Sequence, residues 1–86
     1  MFNMTDYVNL YNYVYEVCTN IVDDFIKRTN ESISDNFLDL IFGFENYLKN
    51  AYEDEVVHCA VNSALYAVCS EKDRVYWWEL YNLAAI

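Results

Sequence analysis

Apolar and polar residues follow one another along this chain with the period of α-helices. In the first third, Leu10, Val14 and Cys18 recur every four residues on one side of the predicted helix. Three further segments show a similar helical spacing. We therefore predict an all-α fold, a compact bundle of about four helices around a central apolar helix. The single helical domain covers residues 1–86, with helices near 6–28, 34–50, 54–69 and 72–84.

The second predicted helix is the most apolar, and we expect it to be the central one. Its apolar residues cover roughly 220° of the circumference, and the bundle is expected to pack around Phe37, Ile41, Phe44 and Leu48. A glycine within a helix costs about 1 kcal/mol relative to alanine, so Gly43 predicts close approach of another backbone or a partner. The remaining surface, the polar stripe, has no base and consists of Asp35, Asp39, Gly43, Asn46, Asn50 and Glu53.

Capping residues predict where the helices begin. Thr5 is the expected N-cap of the first helix. Ser32 and Ser70 stand before the second and fourth helices, each with an acid three residues later. A run of three acids suits the positive N-terminal end of the third helix. This favours a break near residues 50–53 over one continuous helix from 34 to 69.

The chain is strongly acidic. Fourteen Asp and Glu against five Lys and Arg give a net charge of -9, and residues 31–58, with seven acids and one base, account for -6. Because like charges repel, nucleic acid and anionic membranes are not expected as direct partners, and a basic protein surface is expected instead. The alternative is that the acidic surface only keeps a small apolar protein in solution.

The sequence contains no pattern typical of catalysis or of metal binding. His58 lies 100° around its helix from Cys59, so the two cannot form a nucleophile and base pair. The other two cysteines are Cys18 and Cys69, and the three do not have the spacing of a zinc site. Their odd number favours reduced thiols in a cytoplasm over a disulfide framework. No export signal and no apolar run of membrane-spanning length are visible. We therefore expect a non-enzyme without metal or cofactor.

Two aromatic residues lie off the apolar faces of their helices. Tyr13 is predicted to be exposed and Trp78 at least partly exposed, whereas Trp77, Leu80 and Tyr81 are predicted to form a buried face. Exposed Tyr and Trp are enriched at binding hot spots. The expected partner-binding residues are therefore Asp35, Asp39, Glu53, Asp54, Glu55, Tyr13 and Trp78.

In size, charge and composition, the whole chain resembles the small acidic inhibitors that phages encode, including anti-CRISPR and anti-restriction proteins that imitate DNA. The resemblance rests on no motif and assigns no residues. It implies a basic partner in the host bacterial cytoplasm, such as a CRISPR effector or a restriction enzyme. Two other classes also fit: a toxin immunity protein that covers a basic nuclease site, and an acidic homodimeric regulator.

Overall fold

The computed structural model describes residues 3–29 and 35–85, which form four α-helices and, within these ranges, no strand. The predicted all-α bundle is confirmed. The 26 residues of the first helix extend about 39 Å at a rise of about 1.5 Å per residue, which matches the 40 Å long axis of the molecule. The helices are α1 (Met4–Thr29), α2 (Asp35–Leu48), α3 (Asp54–Glu71) and α4 (Val75–Ala84).

The central helix is α3, not α2. The interface of α3 with α1 is the most extensive between any two helices. In α2, by contrast, Leu40 is 48% exposed, Tyr47 is 68% exposed and Phe44 is half-buried. The short Ala and Val side chains of α3 allow neighbouring helices to approach closely, so α3 takes the central place. Its buried residues are Val56, Val57, Ala60, Val61, Ala64, Leu65, Val68 and Cys69.

Aromatic contacts define the directions of α1 and α2. The rings of Phe25 and Phe37 lie 5.4 Å apart, and those of Tyr13 and Phe44 lie 5.9 Å apart. Because the residue number rises along one helix as it falls along the other, α1 and α2 are antiparallel. The C-terminal end of α2 therefore lies beside the N-terminal half of α1.

The last helix packs mainly against α3, and its aromatic side chains also reach α2, which runs in the same direction. The ring of Trp77 lies 5.0 Å from that of Phe37, and the ring of Tyr81 stacks on Phe42 at 5.1 Å. Trp77 and Tyr81 are fully buried, as predicted. Leu80, which was predicted for the same face, is exposed. The face of α4 that contacts the bundle is thus turned slightly from the predicted one.

Three of the four predicted helix starts fall within the described residues. The side-chain oxygen of Asn3 accepts the backbone N–H of Asp6 at 3.1 Å. Asn3 therefore caps α1, and Thr5 lies inside the helix. Glu53 has an extended backbone, with φ -65° and ψ 142°, so the predicted break between α2 and α3 is confirmed. The predicted cap at Ser32 falls outside the described residues.

The break between α3 and α4 comes later than predicted. Ser70 lies within α3, and Asp73 adopts the left-handed conformation, with φ 60°. The backbone N–H of Arg74 donates to the carbonyl of Cys69 at 2.7 Å, and that of Asp73 donates to the carbonyl of Ser70 at 3.2 Å. These two bonds are those of a Schellman motif. Asp73 thus occupies the position at which most helices of this kind end in glycine.

Replacing Ile41 by Ala should lower the free energy of unfolding by about 2 to 5 kcal/mol, because truncating a fully buried side chain leaves a cavity. Leu40→Ala is the matched control, since it removes the same number of atoms from an exposed neighbour and should cost less than about 1 kcal/mol. Urea denaturation followed by circular dichroism measures both. Equal losses would contradict the buried face assigned to α2.

Candidate functional site

The polar stripe is exposed along its whole length, as predicted, including Asp35, Asp39 and Asn46. A Cβ built on Gly43 would meet no atom within 4 Å. No other described backbone therefore approaches Gly43, and that part of the prediction is wrong. Contact of Gly43 with a partner protein stays a prediction.

The predicted acids form two groups. Asp35 and Asp39 lie on the first turns of α2, and the acidic triplet, which is Glu53, Asp54 and Glu55, lies exposed at the start of α3. The 14 residues of α2 extend about 20 Å, with Asp35 and Asp39 toward the N-terminal end and the acidic triplet beyond the C-terminal end. The exposed face of α2 between them carries no base.

Most of the basic residues have partners elsewhere. Arg28 pairs with Asp24 at 2.9 Å, and Lys72 of the α3–α4 turn pairs with Asp23 at 3.0 Å. The guanidinium of Arg28 also lies 4.4 Å from the ring centroid of Phe25. Both bases lie beside the C-terminal half of α1, whereas the acidic triplet lies at the other end of α3. The charge of the molecule is therefore unevenly distributed.

A groove of about 450 Å³ opens where α1 meets the C-terminal end of α2 and the following turn. We call it the tyrosine groove. Three of its tyrosines expose much of their surface, 50% for Tyr13, 68% for Tyr47 and 36% for Tyr52. Tyr52 directly precedes the acidic triplet in sequence, so the triplet adjoins the groove at Tyr52. Its lining includes Asn9, Tyr13, Tyr47, Leu48, Asn50 and Tyr52.

The two predicted aromatic anchors do not lie together. Tyr13 is exposed and lines the tyrosine groove. Trp78 is half-buried between α3 and α4, where its indole N–H donates to the side-chain oxygen of Asn62 at 2.6 Å and its ring meets Tyr66 edge-on at 4.8 Å. Trp78 therefore has a structural role at that helix contact. Sequence periodicity predicts the exposure of Tyr13 but places Tyr47 on the apolar side of α2, where the structure leaves it exposed.

A buried carboxylate links three helices. Glu45 of α2 is only 5% exposed. It accepts a hydrogen bond from the hydroxyl of Tyr81 on α4, and its second oxygen lies 3.4 Å from Lys49 and 3.7 Å from Nδ1 of His58 on α3. Glu45 and Lys49 thus form an ion pair one helical turn apart. The burial of Glu45 was not predicted, because a pair one turn apart is also common on exposed helix surfaces.

Tyr81 acts in this cluster as a hydrogen-bond donor. Burial, followed by the hydrogen bond to Glu45, raises the pKa of the Tyr81 hydroxyl well above its usual range. Tyr81 therefore stays protonated, and Glu45 receives the bond that its buried oxygen needs. Unpaired buried polar groups are costly, so this cluster holds α2 and α4 in register.

All three cysteines are free, as predicted. Cys18 and Cys69 are buried, whereas Cys59 is partly exposed. Burial raises the pKa of the Cys18 thiol to about 12, with a smaller contribution from Cys69, and burial likewise raises the pKa of Cys69 to about 12. These two thiols are therefore neutral and poorly nucleophilic near neutral pH.

No family model matches the chain, and comparisons with curated proteins and with solved structures found no match. In residues 3–29 and 35–85, no helix is long and apolar enough to cross a membrane. Over the same ranges, no group of three or more His, Cys, Asp or Glu side chains is arranged to hold a metal ion. The surface formed by the polar stripe, the acidic triplet and the tyrosine groove combines exposed acids with an exposed aromatic lining, and we take it as the candidate functional site.

Replacing Tyr81 by Phe should destabilise the protein by about 1 to 3 kcal/mol, because the buried Glu45 carboxylate loses its donor. In a double-mutant cycle with Glu45→Gln, the two effects should add up to more than the effect of the double variant. Tyr66→Phe removes a hydroxyl from an exposed tyrosine of α3 and should be close to neutral. Strict additivity in urea denaturation would contradict the coupling.

The native protein at pH 8 should react with a thiol reagent at Cys59 first, and Cys59→Ser should remove that fast phase. Cys18 and Cys69 should react only when the bundle opens. Stability should also fall as the pH rises from 9 to 12, because the unfolded thiols ionise near 9 while the buried ones stay protonated. Simultaneous labelling of all three thiols in the folded protein would contradict this assignment.

Proposed function

We propose that this chain is a small acidic inhibitor protein that binds and blocks a basic, nucleic-acid-handling protein of bacterial defence, of the anti-CRISPR or anti-restriction type. One observation carries the proposal. The exposed face of α2 bears Asp35 and Asp39, contains no base, and leads directly to the acidic triplet. A surface of this kind is complementary to one that is built to bind phosphates.

The spacing of the acids supports this complementarity. Asp35 and Asp39 lie one turn apart, about 6 Å along the helix axis, which is of the order of the distance between successive backbone phosphates. Arg side chains bind phosphates and carboxylates in the same two-pronged geometry. A row of Arg and Lys that holds nucleic acid can therefore accept the carboxylates of α2 in its place.

The size of the surface also suits an inhibitor. The two acidic groups lie toward opposite ends of α2, which is about 20 Å long, and a stable interface buries about 800 Å² on each partner. A single basic surface can thus contact both groups. Because Lys49, the base nearest the acidic triplet in sequence, is 3.4 Å from the Glu45 carboxylate, its charge is largely taken up inside the bundle. The field at this surface is set by the acids.

A homodimeric regulator is the second candidate, and α4 gives a specific reason to keep it. Tyr76, Leu80 and Leu83 are exposed and recur at i, i+4 and i+7 along one side of α4. Such an apolar stripe suits burial against a second copy of the chain. A toxin immunity protein would use the same acidic surface as the proposed inhibitor, and the identity of the partner would distinguish those two.

Neutralising Asp35 and Asp39 together, as Asp35→Asn and Asp39→Asn, should slow association with the partner about threefold or more. The partner is isolated from bacterial lysate with the tagged wild-type protein. Association rates are then measured by surface plasmon resonance at low and physiological salt. Rising salt should likewise slow the association of the wild-type protein, since salt screens long-range attraction.

The control neutralises Glu16 and Glu79, which are exposed on α1 and α4. It changes the net charge by the same amount and should slow association much less. DNA or RNA should compete with the inhibitor for the partner. The proposal fails if the partner binds no nucleic acid, or if neither salt nor the α2 variants alter the rate. Recovery of only a second copy of the chain would favour the homodimeric regulator.

A further inference from the structure

The tyrosine groove is an opening with a largely apolar lining, and the C-terminal end of α2 leads into it. Asn50, the fifth residue of the polar stripe, lines the groove. Its volume of about 450 Å³ lies within the range of pockets that take a small ligand or a side chain of a partner, about 300 to 1,000 Å³. The groove and the acidic surface can therefore be covered by one partner.

Three tyrosines from different parts of the chain line the groove. Tyr13 comes from α1, Tyr47 from α2 and Tyr52 from the turn after α2, and all three are exposed. Aromatic rings of this type bind cations through the negative charge on their faces. Asn9 and Asn50 add side-chain oxygens that accept hydrogen bonds. The lining thus offers a ligand both aromatic rings and hydrogen-bond acceptors.

The charge around the groove selects among ligands. Glu53, Asp54 and Glu55 follow Tyr52 without interruption and are exposed. The nearest base in sequence, Lys49, has its ammonium 3.4 Å from the buried Glu45 carboxylate. An anion would be repelled here, and a purely apolar side chain would leave the Asn groups and tyrosine hydroxyls without partners. A cation can interact with the tyrosine rings, with the side-chain oxygens of the asparagines and with the nearby acidic triplet at the same time.

Arginine fits this combination better than lysine does. Its planar guanidinium stacks on aromatic faces and has five N–H donors for the amide and carboxylate oxygens, and it is more weakly hydrated than an ammonium. A desolvated site between tyrosines therefore favours arginine. The groove then serves as the anchor of the interface, while the more distant acids act on the approach of the partner.

We propose that the tyrosine groove binds an arginine side chain of the basic partner, between the rings of Tyr13, Tyr47 and Tyr52 and next to the acidic triplet. This inference rests on the proposed function, because it names the chemistry by which the partner is anchored. The arginine belongs to a protruding segment of the partner surface. The groove sets the lifetime of the complex, and the acids of α2 set its rate of formation.

The test uses the full-length protein and capped Gly-Arg-Gly peptides, observed by NMR titration of 15N-labelled protein. We expect shifts of the Tyr13, Tyr47 and Tyr52 resonances and of the amides at residues 50–55. Citrulline in place of arginine keeps the shape but removes the charge, and it should weaken binding about fivefold or more. A lysine peptide should bind more weakly than the arginine peptide.

Variants at the ring positions separate aromatic character from bulk. Tyr47→Leu and Tyr52→Leu should each lower the peptide affinity about threefold or more, whereas Tyr47→Phe and Tyr52→Phe should retain it within about twofold. Tyr66→Leu, at an exposed tyrosine outside the groove, is the control. Circular dichroism shows whether each variant keeps the helical fold, and the Phe variants keep the test decisive if a Leu variant does not.

Three results would overturn the inference. Equal binding of the citrulline peptide would show that the groove takes a neutral ligand. Shifts confined to Asp35 and Asp39 would show binding by the acidic surface alone. Concentration-dependent shifts of groove residues without peptide would assign the groove to a second copy of the chain. None of these results depends on the host partner. The arginine-binding inference can therefore fail while the salt and charge tests support the proposed function, and it can hold while those tests fail.

Discussion

The close packing of α3 against α1 is the constraint on which the rest of this structure depends. The buried face of α3 is built largely of alanine and valine, with Ala60 and Ala64 fully buried. Small side chains bring helix axes together, and this pairing takes up the central position of the bundle. The larger aromatic side chains of α2 and α4 must then pack around its outside, where several remain exposed. The tyrosine groove is a consequence of that displacement.

This arrangement explains where sequence reasoning was accurate and where it was not. The period of α1 predicted its buried residues well, because a long helix with one apolar face has few ways to pack. Periodicity could not show that Leu40 and Tyr47 of α2 stay exposed, since apolar character alone does not distinguish a core from an outer groove. The late end of α3 was missed because Asp73, not glycine, adopts the left-handed conformation.

The candidate site was predicted only in part, for a similar reason. Exposure of Asp35, Asp39 and the acidic triplet follows from their place on the helices, and it was predicted correctly. The groove could not be predicted, because Tyr13 and Tyr52 are 39 positions apart in sequence and meet only through the antiparallel packing of α1 and α2. The burial of half of Trp78 could not be predicted either. Its indole N–H donates to the side-chain oxygen of Asn62 on α3, and no local sequence pattern indicates that contact.

The uneven distribution of charge can be related to the position of the groove. Arg28 and Lys72 pair with acids in the C-terminal half of α1, and the acidic triplet lies at the opposite end, beside the groove. On the proposed function, a basic surface is attracted to the side of the molecule that carries Asp35, Asp39 and the acidic triplet. Long-range attraction loses importance once the proteins touch, and contacts that exclude water then determine how long the complex lasts. The tyrosines lie at one end of that acidic side, where they can make such contacts.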